Sequence, residues 1–318
     1  MRFNPRARLD TGRVADRGRS GGLGGGGRGG LPIPGGVAAG GGFGTLLIVL
    51  LVVLVSCLGN DGGGGGLGAP GGMIDQGAGA DTSRMTDSGR YDHCETGEDA
   101  NEDVDCARVA VENSLFQYWS DVFTRGGARF RPASMTTFTG GVGTGCGQAS
   151  SQVGPFYCPA DQGIYLDDSF FSDVLEKQLG GNGGDFVEPY VLAHEYGHHV
   201  QNLLGTMGKV RTQQGPQSDA VRLELQADCY AGMWTRAAEG TSDVEGVAIF
   251  AELDRGDIEE ALDSAKAVGD DRIQQRSGGR VDSDGWTHGS SEQRMRWFMT
   301  GYERGDLGAC DTFAANQL

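Results

Sequence analysis

Apolar residues are distributed unevenly along this chain. From Gly44 to Leu58 the run GTLLIVLLVVLVSCL contains no charge, and Gly41, Gly42 and Phe43 before it and Gly59 and Asn60 after it can lengthen it. A spanning helix uses about 17 to 25 apolar residues, so the run is short for the task. Three readings compete: one transmembrane segment over 44–59, a cleaved signal, or a buried core helix. The tail before the run is longer than the n-region of a signal peptide, which favours the transmembrane reading. Leu54-Val55-Ser56-Cys57 nevertheless looks like a lipoprotein cleavage box with Cys57 as the lipidated residue. Glycine-rich stretches on both sides disfavour a core helix.

Further on the pattern turns periodic. Between Cys106 and Phe123, the residues Val109, Val111, Leu115, Tyr118, Trp119 and Val122 fall mostly at three- and four-residue steps, which predicts a helix. Residues 130–138 and 154–167 are β-like, the second with a turn at Pro159–Gly163. Residues 169–179 predict a short helix ended by Gly180-Gly181. Pro189 suits the first turn of a helix and Gly205 its end, with Val191, Leu192, Tyr196, Val200, Leu203 and Leu204 between them. Ser218 can cap a second helix running to about Ala238, and residues 256–269 and 290–303 predict two more. The expectation is an α+β domain over 91–318, mainly helical with a small β-sheet.

Composition accounts for the rest. Much of the glycine (58 of 318 residues) precedes residue 80, where no core can form. Residues 1–43 read as a disordered, basic, Gly-rich tail and residues 60–90 as a flexible linker. Residues 1–44 carry seven Arg and two Asp, a balance of +5, so with a net charge of −17 the remainder carries about −22. Basic residues before an apolar segment place the N-terminus in the cytoplasm and the domain outside it. The acidic domain lacks the basic footprint of a nucleic-acid binder. Cys57 belongs to the apolar run. The other six cysteines (94, 106, 146, 158, 229 and 310) form an even set, consistent with three disulfides in an oxidising, extracytoplasmic space. Six cysteines allow fifteen connectivities. Closeness in sequence suggests Cys94–Cys106, Cys146–Cys158 and Cys229–Cys310.

The chemistry centres on His194-Glu195-Tyr196-Gly197-His198. On a helix, His194 and His198 share a face and can both address one Zn²⁺, with Glu195 at the edge of that face as general base. One zinc per chain is expected, with a fourth position left open for water. A third ligand must come from elsewhere. Glu224-Leu225-Gln226-Ala227-Asp228 resembles the gluzincin pattern, in which the Glu is that ligand. Asp228, four residues on, would then orient a ligand histidine through its other nitrogen. A direct Asp228 ligand with Glu224 outside is the alternative. His288, just before the last helix, could donate to the oxyanion of a peptide undergoing hydrolysis, or could merely cap that helix. His199 is turned about 100° from its neighbour and reads as structural or supporting. His93 reads as exposed. Residues 163–166 could form an edge strand that receives an extended peptide, or an ordinary sheet strand.

The assembled motifs resemble the bacterial "putative neutral zinc metallopeptidase" family, which carries an N-terminal membrane segment. The carriers are Tyr157–Asp161, Tyr165–Asp167, Ala193–Gly205, Glu224–Cys229, Gly269–Gln274 and His288–Arg294. The resemblance implies zinc at His194 and His198 and a catalytic Glu195 and delivers no substrate; the expectation is a zincin-like domain acting on a peptide or protein. The expected protein is a membrane-anchored, extracytoplasmic zinc metallopeptidase that binds no nucleic acid. A zinc-stabilised envelope scaffold without turnover is the rival, and a hydrolase of non-peptide amides a further one.

Overall fold

The computed structural model describes residues 1–19, 87–150 and 153–318. The helices α1 (Gly97–Glu102), α2 (Val104–Arg125), α3 (Val187–Leu203), α4 (Asp219–Ala237), α5 (Arg255–Ala267), α6 (Asp270–Arg276) and α7 (Ser291–Arg304) form most of the body. Strands β1 (Arg2–Phe3), β2 (Val14–Arg19), β3 (Ser134–Thr139), β4 (Gly141–Thr144), β5 (Gly147–Ser150), β6 (Phe156–Cys158), β7 (Gly163–Asp167) and β8 (Phe250–Glu252) make three small sheets. The fold is thus α+β, as the periodicity indicated.

Helix α3 is central, buried on nearly all sides from Val187 to Gln201. Gly205 follows it with φ +71°, in the left-handed region that a terminating glycine takes up readily. Ser218 caps α4 by accepting from the Val221 amide, and Ser290 with Gln293 forms a capping box on α7. Helices α4 and α7 touch backbone to backbone. A Cβ on Gly301 would lie 1.8 Å from the Cys229 carbonyl oxygen, and one on Gly232 2.0 Å from that of Phe298. The short helix expected over 169–179 is a π-helical turn, Phe170–Glu176.

The main sheet has the order β2-β3-β7-β6, with β2, β3 and β7 parallel and β6 antiparallel. Of the two readings of 163–166, edge strand or ordinary sheet strand, the structure has the second. Strand β7 is hydrogen-bonded on both sides, so the edge nearest the motif helix is β6. The hairpin β4–β5 is fastened to β6 by the Cys146–Cys158 disulfide. Cys94–Cys106 and Cys229–Cys310 are also bonded, so all three pairs suggested by closeness in sequence are present.

A correction concerns the start of the chain. Residues 1–19 are not a disordered tail, and the folded body does not begin at Tyr91. β1 pairs with β8, and β2 pairs with β3, Val14 opposite Met135 and Asp16 opposite Thr137. The segment has too few apolar residues for a core of its own, but a strand added to an existing sheet needs only backbone partners and a few buried side chains. Here these include Phe3, Ala7 and Val14. The Ser88 amide, within the expected linker, donates to the Asp16 carbonyl at 2.9 Å. The expected transmembrane segment over 44–59 lies outside the described residues. Among the described residues no helix is long and apolar enough to cross a membrane.

Candidate metal centre

Helix α3 carries His194, Glu195 and His198, all buried, and α4 brings Glu224 and Asp228 to them. The close approach depends on Gly197. A Cβ there would stand 3.0 Å from Ala227 Cα and 3.1 Å from its carbonyl oxygen. The glycine inside the motif therefore lets α4 come near enough for a carboxylate to reach the histidines.

His194 Nε2 lies 3.2 Å from one Glu224 oxygen and His198 Nε2 lies 3.5 Å from the other. Ligand atoms about 2.1 Å from a tetrahedral zinc are about 3.4 Å apart, so this spacing suits the ion. The far sides of both rings support the same reading. His194 Nδ1 is 2.8 Å from Asp228 Oδ1, and His198 Nδ1 is 2.8 Å from Gln201 Oε1. A carboxylate and an amide oxygen only accept, so each Nδ1 carries the hydrogen and each Nε2 can turn a lone pair toward the centre. The Gln201 amide is itself oriented, because its Nε2 donates to the Leu223 carbonyl at 2.7 Å and to Gln226 Oε1 at 3.2 Å. Of the alternatives open in the sequence, Glu224 faces both histidines and Asp228 stands behind one of them.

The electrostatics of the cluster favour positive charge. Burial opposes ionisation of Glu224, but His198, His288 and His194 hold it well below the usual carboxylate range. Burial likewise disfavours charge on His194, yet Asp228 and Glu224 push its pKa up to about 9. Two carboxylates held ionised beside His194 thus make this a place that favours a cation. Asp228 is kept ionised against burial by Arg294 and His194. Arg294 donates to both its oxygens at 2.9 Å, and the Tyr190 hydroxyl donates to Oδ1 at 2.7 Å. Burial raises the pKa of Glu195, with His198 and His194 opposing.

His288 sits on a loop gripped by Asp270, whose Oδ2 accepts the amides of Thr287, His288 and Gly289 at 2.8, 2.7 and 3.0 Å. Its Nδ1 is 2.8 Å from the Thr287 hydroxyl and 3.5 Å from Asp270 Oδ1. Burial disfavours the charged ring, but Glu224 and then Asp270 outweigh it and raise the pKa. Glu224 is thus among the charges that act on the His288 ring, and the cap of α7 is Ser290. His199 does not face the cluster. Its Nε2 donates to the Arg131 carbonyl at 2.6 Å and its Nδ1 meets the Tyr157 hydroxyl at 3.0 Å, behind the motif helix. His93 is exposed and pairs with Asp103. Gln201, Tyr190 and Asp270 were missed as supporting residues. Helical spacing could have found the first two, at i+3 from His198 and i−4 from His194. Asp270 lies in the motif Gly269–Gln274, but its role could not be read there because its partners are seventeen to nineteen residues away.

Two imidazoles from one helix and a carboxylate from the next, each ring locked from behind, form a helix-borne group that could hold a metal ion. The chain belongs to the family described as "Putative neutral zinc metallopeptidase", whose profile matches residues 1–313. An uncharacterized protein of Mycobacterium tuberculosis H37Rv, Rv2575, is 49% identical over 253 residues, covering 78% of this chain and 84% of the relative. The uncharacterized Escherichia coli K12 protein YpfJ is 46% identical over 201 residues, 61% of this chain and 66% of its own length. No solved structure matches.

Proposed function

We propose that the protein is a zinc-dependent peptidase in which His194, His198 and Glu224 hold the metal, Glu195 is the general base, and His288 assists. The observation that carries this reading is the convergence of two Nε2 atoms and one carboxylate at 3.2 and 3.5 Å, beside a buried glutamate that the metal set does not use. A zinc ion bound there would supply a Lewis acid that polarises a carbonyl and acidifies water. Glu195, its carboxyl raised by burial, takes a proton from the attacking water and returns it to the leaving amine. His288 has Nδ1 engaged by Thr287 and Asp270, which leaves Nε2 to donate to the developing oxyanion. Asp228 and Gln201 keep the ligand rings in the right tautomer. Three disulfides support a working place in an oxidising compartment.

The test compares the full chain with Glu195→Gln on casein and a peptide library, each with its zinc content measured. One zinc in both, with cleavage by the wild type only, supports the reading. One zinc in both and no cleavage that the variant lacks gives the site to a scaffold. Glu224→Ala should lose most of the zinc; unchanged stoichiometry would reassign the third ligand.

A further inference from the structure

A single membrane crossing by the run Gly44–Leu58 would put residues 1–19 and 87–318 on opposite sides, yet the fold ties these two stretches together at several independent points. β2 lies along β3, and the Asp16 carboxylate accepts the hydroxyls of Thr137 at 2.8 Å and Ser88 at 2.6 Å. Arg13 Nε donates at 2.8 Å to Glu112, a carboxylate on α2 that is 1% exposed. The same Glu112 oxygen accepts the hydroxyl of Tyr196, inside the zinc motif, at 3.2 Å. Asn113 exchanges two hydrogen bonds with the backbone of Asp10, at 2.7 and 2.8 Å. Phe3 is buried, its ring 5.0 Å from that of Phe250.

The charge pattern also acquires a second explanation. Arg2 pairs with Glu252, Arg8 with Glu245 and Arg13 with Glu112. An arginine-rich start complements an acidic body and need not signal retention in the cytoplasm. The family profile, which runs over residues 1–313, includes both stretches.

We infer that residues 1–19 are a structural part of the catalytic body and lie on the same side of any membrane as residues 87–318, so that no single crossing separates them. Among the described residues, removing this segment would leave Glu112 buried beside the motif helix without the Arg13 guanidinium and β3 without its β2 partner. The inference is independent of the zinc reading.

The test uses the full chain with Cys57→Ser, carrying either Arg6→Cys or Val244→Cys, both exposed positions. A membrane-impermeant maleimide is applied to spheroplasts, then after lysis. Labelling of both positions in the same step is expected; labelling of one in intact spheroplasts and the other only after lysis overturns the inference. A second variant, Arg2→Cys with Glu252→Cys, places thiols at paired positions of β1 and β8. Mild oxidation should cross-link them within one chain. No cross-link, or a mature mass lacking residues 1–19, also overturns it.

Discussion

Arg294 grips Asp228 with two parallel hydrogen bonds, Nε to Oδ2 and Nη2 to Oδ1, both at 2.9 Å and both buried. Since Asp228 in turn holds His194, the guanidinium on α7 supports a ring on α3 that we propose as a zinc ligand, through α4. Arg294→Met should lower zinc affinity about 10- to 100-fold in a chelator competition assay. Arg294→Lys keeps the charge but not the fork, and should fall between that variant and the wild type.

Gln201 does for His198 what Asp228 does for His194. Gln201→Leu leaves the Nδ1 hydrogen of His198 without its acceptor, and should also weaken zinc binding by about tenfold or more. His199→Asn, on the opposite side of the same helix, should leave zinc stoichiometry unchanged. Metal analysis of the two variants side by side checks the contrast.

Two glycines should respond differently to alanine. In Gly301→Ala the new methyl meets the Cys229 carbonyl oxygen at 1.8 Å, so α4 and α7 must separate. A loss of about 3 kcal/mol or more is expected in denaturant titration, at the upper end of overpacking costs. In Gly197→Ala the contacts with Ala227 are 3.0 to 3.3 Å. A smaller shift of α4 suffices there, and it moves Glu224. That variant should lose zinc affinity out of proportion to stability.

Burial pushes the pKa of His199 down to about 4, against the hydrogen bond to the Arg131 carbonyl, while an unfolded histidine titrates near 6.5. The unfolded state therefore binds the extra proton first as pH falls. The stability held by the neutral ring is complete above about pH 6.5 and is lost progressively toward pH 4. The size is on the order of 3 kcal/mol. Denaturation midpoints between pH 7 and pH 4 should drop less in His199→Asn than in the wild type.

Disulfide removal should rank by loop length. Cys229–Cys310 closes 81 residues, against 12 for Cys94–Cys106 and for Cys146–Cys158. Chain entropy assigns about 4.5 kcal/mol to the long loop and about 2.8 kcal/mol to each short one. Paired Cys→Ala variants, compared by thermal or chemical unfolding, check the order.

Much of the centre was legible in one dimension because its parts are local. His194 and His198 are one helical turn apart, as are Glu224 and Asp228, and a helix fixes which residues share a face. Apolar spacing and capping residues located α2, α3, α4, α5 and α7 to within a few residues. Cysteine number and closeness pointed to the three disulfides present.

The tertiary structure alone decided what depends on partners far apart in the chain. Nothing in VADRGR announces a strand, since its pairing with β3 uses backbone groups that every residue carries. The interior position of β7 follows from strand order, which local patterning does not encode. The grip of Asp270 on the His288 loop and of Arg13 on Glu112 joins charged residues that look solvent-facing in sequence. So the sequence by itself determined the metal-ligand pattern and the helices that bear it. Only the folded chain, by bringing distant charges and strands together, showed that its first nineteen residues belong to the same body as the zinc motif.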